Sequence, residues 1–259
     1  MSSPYLLRAD AVVLRRHDLG EADRIVTVFT AQHGKVRAVA KGVRRPTSKL
    51  GGHLELFIHS QIVLARGRNL DVITQAETVS SFLGLREDLW RASHAYYVAE
   101  LLDRMTEDRA ENLPLFRLLL ATLDRVSSAR RPDQAVRFFE MQVLGLLGYR
   151  PELRHCVQCR RDLDPERVAF SSADGGVVCP ECRPRCPGAK DISANAVKIL
   201  RLYQTADWET TSRLRIGDDL TGTLEQCLRE YLHYVVETQL KSAAFVASLR
   251  EQGIGGSPS

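Results

Sequence analysis

No Asp or Glu lies between Asp23 and Glu55, yet that stretch holds seven cations: Arg24, Lys35, Arg37, Lys41, Arg44, Arg45 and Lys49. A folded surface that keeps this much charge of one sign repels itself unless a polyanion neutralises it, which points to nucleic acid. The stretch is also short of aromatics. Phe29 and Phe57 are the only ones from Gly20 to Gly67, and both alternate with apolar neighbours as core residues do. A stacking platform for bases is therefore not expected there. Phosphate contacts should dominate, giving weak sequence preference and strong salt dependence.

Long apolar runs are lacking too. None approaches the roughly 18 residues that cross a bilayer, and Arg8 and Asp10 interrupt the region where a signal peptide would carry its apolar core. The expectation is a cytoplasmic, nucleoid-associated protein. Enzyme motifs are missing as well: no GxxxxGK(S/T) phosphate loop, no GxGxxG after a strand, no GxSxG elbow and no HExxH. The acidic pairs Asp218-Asp219 and Glu107-Asp108 read as helix-end or solvated charges. No catalytic activity is expected.

What is present is an ordinary globular composition, 44% hydrophobic and 26% charged, in a length that allows two modest domains. The charge is uneven. Residues 1–80 hold 12 Lys/Arg and 7 Asp/Glu, a surplus of five, whereas the whole chain carries only +4. The basic character therefore belongs to the N-terminal third.

That third reads as β. Residues 11–16, 24–30 and 35–41 are strand-like, the second rich in β-branched residues, with Gln32-His33-Gly34 as a turn. Lys35, Arg37 and Lys41 fall at odd positions and so share one strand face. Residues 43–52 form a loop. Residues 54–65 and 70–79 read as a hairpin through Arg66-Gly67-Arg68-Asn69. Five short strands predict a small closed barrel, an OB-fold or, nearly as well, an SH3-like barrel.

After Phe82 the period becomes helical. Helices are expected over 92–107, 113–127 and 132–147, the last closed by Gly148 with Pro151 beyond. A further helix should be capped by Ser193 and end near Tyr203. The last and longest is expected over 223–249, before a disordered tail at 252–259.

Between the helices, Cys156-x2-Cys159 and Cys179-x2-Cys182 are separated by 19 residues. Two such knuckles deliver four thiolates to a tetrahedral metal, and the spacing is that of a zinc ribbon. A short hairpin turning at Asp174-Gly175-Gly176 fits between them. In a reducing compartment these thiols are metal ligands before they are disulfides. Four protein ligands leave no open position, so the zinc would be structural. Cys186 could replace Cys182; the symmetry of the two knuckles favours Cys182. Cys227 shares a helix face with Leu224, Leu228 and Tyr231 and reads as a buried apolar thiol.

The run Gly20-Glu21-Ala22-Asp23-Arg24-Ile25, with Thr30, Gly34-Lys35, Ala40-Lys41-Gly42-Val43-Arg44-Arg45 and Leu50-Gly51-Gly52-His53-Leu54-Glu55, resembles the N-terminal signature of the RecO family of bacterial recombination mediators. The likeness continues through Phe138-Phe139-Glu140, Leu144, Leu147-Gly148-Tyr149 and the four cysteines with Phe170-Ser171 and Gly175-Gly176 between them. It implies an α+β multidomain protein: an N-terminal five-stranded OB-fold β-barrel, then an α-helical domain carrying a small four-cysteine zinc module. The corresponding segments are 1–81 for the barrel, 82–153 and 189–251 for the two helical parts, 154–188 for the zinc module and 252–259 for the tail.

The resemblance also implies a non-enzymatic protein of the RecF pathway. Such proteins bind single- and double-stranded DNA and anneal complementary strands. With RecR they help load RecA onto strands coated by single-stranded-DNA-binding protein, and some contact the acidic C-terminal tail of that coating protein. The expected DNA track is Lys35, Arg37, Lys41, Arg44, Arg45 and Lys49; the expected metal ligands are Cys156, Cys159, Cys179 and Cys182. Some relatives lack the cysteines, which suits a fold staple. Three rival readings differ in class: a zinc-containing DNA-binding transcription factor, a DNA-processing enzyme, and a scaffold whose basic barrel docks an acidic partner.

Overall fold

The computed structural model describes residues 6–164, 167–236 and 240–254. Strands β1 (Leu6–Leu19), β2 (Asp23–Thr30), β3 (Gly34–Ala40), β4 (His59–Ala65) and β5 (Asp71–Ser80) close into a barrel in the order β1-β2-β3-β5-β4. All neighbours are antiparallel except β3 and β5, which run parallel at Ala38–Asp71 and Val39–Val72. One parallel closure in a five-stranded Greek-key barrel is the OB-fold arrangement. Strand alternation fills the interior: Ala9, Ala11 and Val13, then Val26 and Val28, then Val36, Ala38 and Ala40, then Ile62, Leu64 and Ile73.

The strand expected over 54–65 starts later. Residues Gly51–Leu54 form a 3-10 turn, and Phe57 takes a left-handed φ of 65°. That conformation ends any extended run, so β4 begins at His59.

The outer face of β1 and β2 is apolar as well, because helices cover it. Helix α2 (Leu89–Met105) follows the single turn α1 (Gly84–Glu87) and starts at Asp88, whose carboxylate accepts the Trp90 and Arg91 amides. Helix α3 (Leu113–Ser128) starts at Asn112. Phe116 of α3 stacks on Phe29 at 6.5 Å, and Tyr96 of α2 meets Phe57 edge-on at 4.9 Å.

The chain divides into two compact units, 1–132 with 241–259, and 133–240. This grouping cuts across the linear segments 82–153 and 189–251. In the second unit, α4 (Pro132–Leu146) ends at Gly148, whose φ of 86° lets the Tyr149 amide reach back to the Leu144 carbonyl. A three-stranded sheet of β6 (Ala169–Ser171), β7 (Gly176–Val178) and β8 (Lys190–Asp191) follows. Helices α5 (Ala194–Thr205, capped by Ser193), α6 (Trp208–Ser212) and α7 (Asp218–Val236) complete the unit.

The expected helix over 223–249 is corrected: it is two helices, α7 and α8 (Lys241–Glu251). Leu240 is non-helical, and 237–239 lie outside the described residues. Helix α8 packs on α2 in the first unit, burying Val246 and Leu249 and placing Arg250 over Trp90 at 5.5 Å. Residues 252–254, expected in the tail, close α8 instead: Gly253 has φ 74°, and the Ile254 amide bonds the Leu249 carbonyl. Residues 255–259 lie outside the described residues. Among the described residues, no helix is long and apolar enough to cross a membrane.

Candidate nucleic-acid interface and metal centre

The acid-free run is partly neutralised by acids from elsewhere in the first unit. Lys35 points out from the barrel, as its odd position requires, but the outside is covered there. Its side chain is buried. Its Nζ donates to the Thr106 carbonyl at 2.7 Å and to the Asp103 carbonyl, and it pairs with the Asp103 carboxylate at 3.2 Å. The covering segment also bonds the free edge of β3, where the Arg109 amide donates to the Lys35 carbonyl at 2.8 Å. Gly34 makes this approach possible. Its φ is 60°, and a Cβ there would lie 2.0 Å from the Ala110 carbonyl oxygen. Lys35 is thus covered by residues 103–110 rather than open on the barrel surface, where the expected track would have it.

The other track residues remain on the surface. Arg37 is exposed beside Asp108 at 3.5 Å. Arg44 is shared between Asp18 at 3.5 Å and the Gly20 carbonyl at 3.1 Å. Lys41, Arg45 and Lys49 are exposed and make no ion pair among the described residues. They follow the end of β3 along one loop, held to the β1–β2 turn by two bonds: Gly42 amide to Asp23 carboxylate at 2.7 Å, and Arg44 amide to Ala22 carbonyl at 2.9 Å. Arg66 and Arg68, exposed in the β4–β5 turn, likewise make no ion pair among the described residues. Sequence reasoning passed them over because the turn was read for its shape and not its charge.

In the second unit, the Sγ atoms of Cys156, Cys159, Cys179 and Cys182 all lie within 4.8 Å of one another. A tetrahedron of thiolates around a metal at about 2.3 Å has edges of about 3.8 Å, and Cys159 and Cys179 are 3.8 Å apart. The donor set fits a tetrahedral ion. Burial raises the Cys156 thiol, but amides of Cys179, Cys159 and Gln158 outweigh it and bring it down to about 6. Burial and Glu181 push Cys179 up to about 12. The β6–β7 hairpin, turning at Gly175 with φ 77°, carries one knuckle to the other. Gly176 must be glycine, since a Cβ would stand 2.2 Å from the Glu152 carbonyl.

Cys186 is buried beside this set but outside it. Burial and a hydrogen bond with Asp174 raise its thiol. Cys227 is half-buried in α7, and burial likewise raises its thiol, to about 12.

Family comparison reads the same two parts. Residues 1–82 match the model described as Recombination protein O N terminal, and residues 86–244 match Recombination protein O C terminal. The chain belongs to the RecO family. Relatives named DNA repair protein RecO span nearly its whole length. The one from Dehalococcoides mccartyi is 37% identical over 250 residues, covering 96% of this chain and 98% of that protein. The one from Roseiflexus is 40% identical over 251 residues, 97% and 88%, and the one from Halalkalibacterium halodurans 34% over 246 residues, 95% and 96%. The barrel lies within the first matched segment and the four cysteines within the second.

Proposed function

We propose that this RecO-family protein is a non-enzymatic DNA-binding protein of recombinational repair. It holds single- and double-stranded DNA by the phosphates, anneals complementary strands and, with RecR, helps load RecA onto strands coated by single-stranded-DNA-binding protein. The observation that carries the reading is the loop of Lys41, Arg45 and Lys49, three exposed cations without a carboxylate partner among the described residues. Arg37 precedes it on β3 and Arg44 lies within it. Contacts of this kind neutralise phosphate and leave bases free to pair with a second strand. Two strands screened by one cationic surface repel each other less, which is the physical requirement for annealing.

The four cysteines would hold a structural zinc ion, which supplies cross-linking and no open coordination position. For the coating protein's acidic tail, the proposed seat is a cleft of about 590 Å3 in the first unit, whose lining also includes the carboxylates of Glu100 and Asp103. Leu14, Leu56, Tyr96 and Phe245 make it apolar, and Arg104 and Lys241 stand at its rim.

The test is annealing of two complementary fluorescent oligonucleotides, without nucleotide or magnesium, across a salt series. Salt-sensitive acceleration on unrelated sequences is expected. No acceleration together with no DNA binding at low salt would refute the reading and favour a protein-docking scaffold.

A further inference from the structure

Beside the free loop lies a chain of alternating charges that the family reading leaves unused. Arg16 bonds Glu55, Glu55 bonds Arg24 at 3.1 Å, Arg24 bonds Asp18 at 2.9 Å, and Asp18 faces Arg44 at 3.5 Å. Asp18 thus sits between two guanidiniums, touching Arg24 Nε with one carboxylate oxygen and Arg44 Nη1 with the other. Two guanidiniums converging on one pair of anionic oxygens make a phosphate site by geometry and charge. The occupant here is a side chain of the protein itself, near the end of β1 and half exposed.

We propose that Asp18 is a resident stand-in for a DNA phosphate: it keeps Arg24 and Arg44 aligned, occupies the site they form, and is displaced from Arg44 when a backbone phosphate arrives. This rests on the reading of the adjoining loop as the DNA track. Arg24 keeps Glu55 as a second partner, so Arg44 is the group that changes hands. The loop does not depend on Asp18 for its position, since Asp23 and Ala22 hold Gly42 and Arg44 through the backbone. Asp18 therefore sets affinity rather than fold. Its presence makes release easier, as a protein that hands its strand on requires.

The test is binding of a mixed-sequence single-stranded oligonucleotide by Asp18→Asn and Asp18→Ser, with melting temperatures in parallel. One freed cation should steepen the salt slope by about 0.7 and tighten binding about fivefold near 0.1 M salt. Adding Arg44→Ala to Asp18→Asn should abolish both gains. If both single variants fold and bind no tighter, with an unchanged slope, the proposal is overturned. Lys41→Ala/Arg45→Ala/Lys49→Ala separates the two claims: an unchanged slope there removes the track reading and the stand-in with it. A flattened slope there beside an inert Asp18 removes only the stand-in.

Discussion

Lys35→Met is the substitution on which an open cationic track and a structural cation disagree most. Met keeps the aliphatic stem and removes the ammonium. The Thr106 and Asp103 carbonyls lose their donor, and Asp103, 14% exposed, loses a partner at 3.2 Å. Breaking a buried pair costs about 3–5 kcal/mol. Arg15 stays 3.3 Å from Asp103 and offsets part of that, so about 3 kcal/mol is expected. For a unit of this size that is a fall in melting temperature of roughly 6–12 °C. The assay is thermal unfolding by circular dichroism, paired with a salt series of DNA binding at a temperature where both proteins are folded. The salt slope should stay at its wild-type value. Melting within about 2 °C of wild type, together with a slope flatter by about one unit, would refute the argument and put Lys35 on the DNA.

The free loop should behave in the opposite way. Lys41→Ala/Arg45→Ala/Lys49→Ala should flatten the salt slope on duplex by about 2.7 units and leave the melting temperature unchanged. At the cysteine module, Cys159→Ser and Cys182→Ser should lose bound zinc while Cys186→Ser retains it; metal analysis of the purified proteins distinguishes them, and zinc lost only from Cys186→Ser would reverse the ligand assignment. Gly34→Ala should destabilise by more than about 3 kcal/mol, seen in denaturant titration, because neither its φ nor the Ala110 backbone leaves room. Burial raises the Glu100 carboxyl, but bonds from the Ser242 hydroxyl and the Ser242 and Lys241 amides outweigh it and hold it below its ordinary value of 4.5. A depressed folded value means stability that is present above 4.5 and lost as pH falls through the folded value. Glu100→Gln should therefore flatten the acid side of a melting-temperature profile.

The barrel was legible because its signal is local. Alternation at 9–13, 26–28 and 36–40 marks one buried face per strand, and the turn residues separate the strands. Parity also placed Lys35, Arg37 and Lys41 on the outer face. It could not show that residues 103–110, some seventy positions downstream, lie over the first of them. The same holds for charge: the run looked uncompensated because Asp18, Glu55, Asp103 and Asp108 lie outside it. The cysteines were legible from spacing alone, since two knuckles impose their own geometry. The break between α7 and α8 was not. No Gly or Pro lies between 223 and 249, and the stripe of Leu224, Leu228 and Tyr231 runs on towards Val246 and Leu249. What separates them is destination, α7 burying its stripe in one unit and α8 in the other.

That division bears on synthesis. The first unit is opened at Pro132 and completed only from Lys241 onward. A ribosome making this chain delivers the barrel, α2 and α3 first, then the entire cysteine-bearing unit, and only at the end the helix that Glu100 and Trp90 await. Domains generally fold as units, the N-terminal one first. Here the barrel is exported early, with the α8-facing side of α2 uncovered, and waits through more than a hundred residues of translation. The inserted unit has meanwhile emerged whole, so the last-made part of the protein finishes the first-made one.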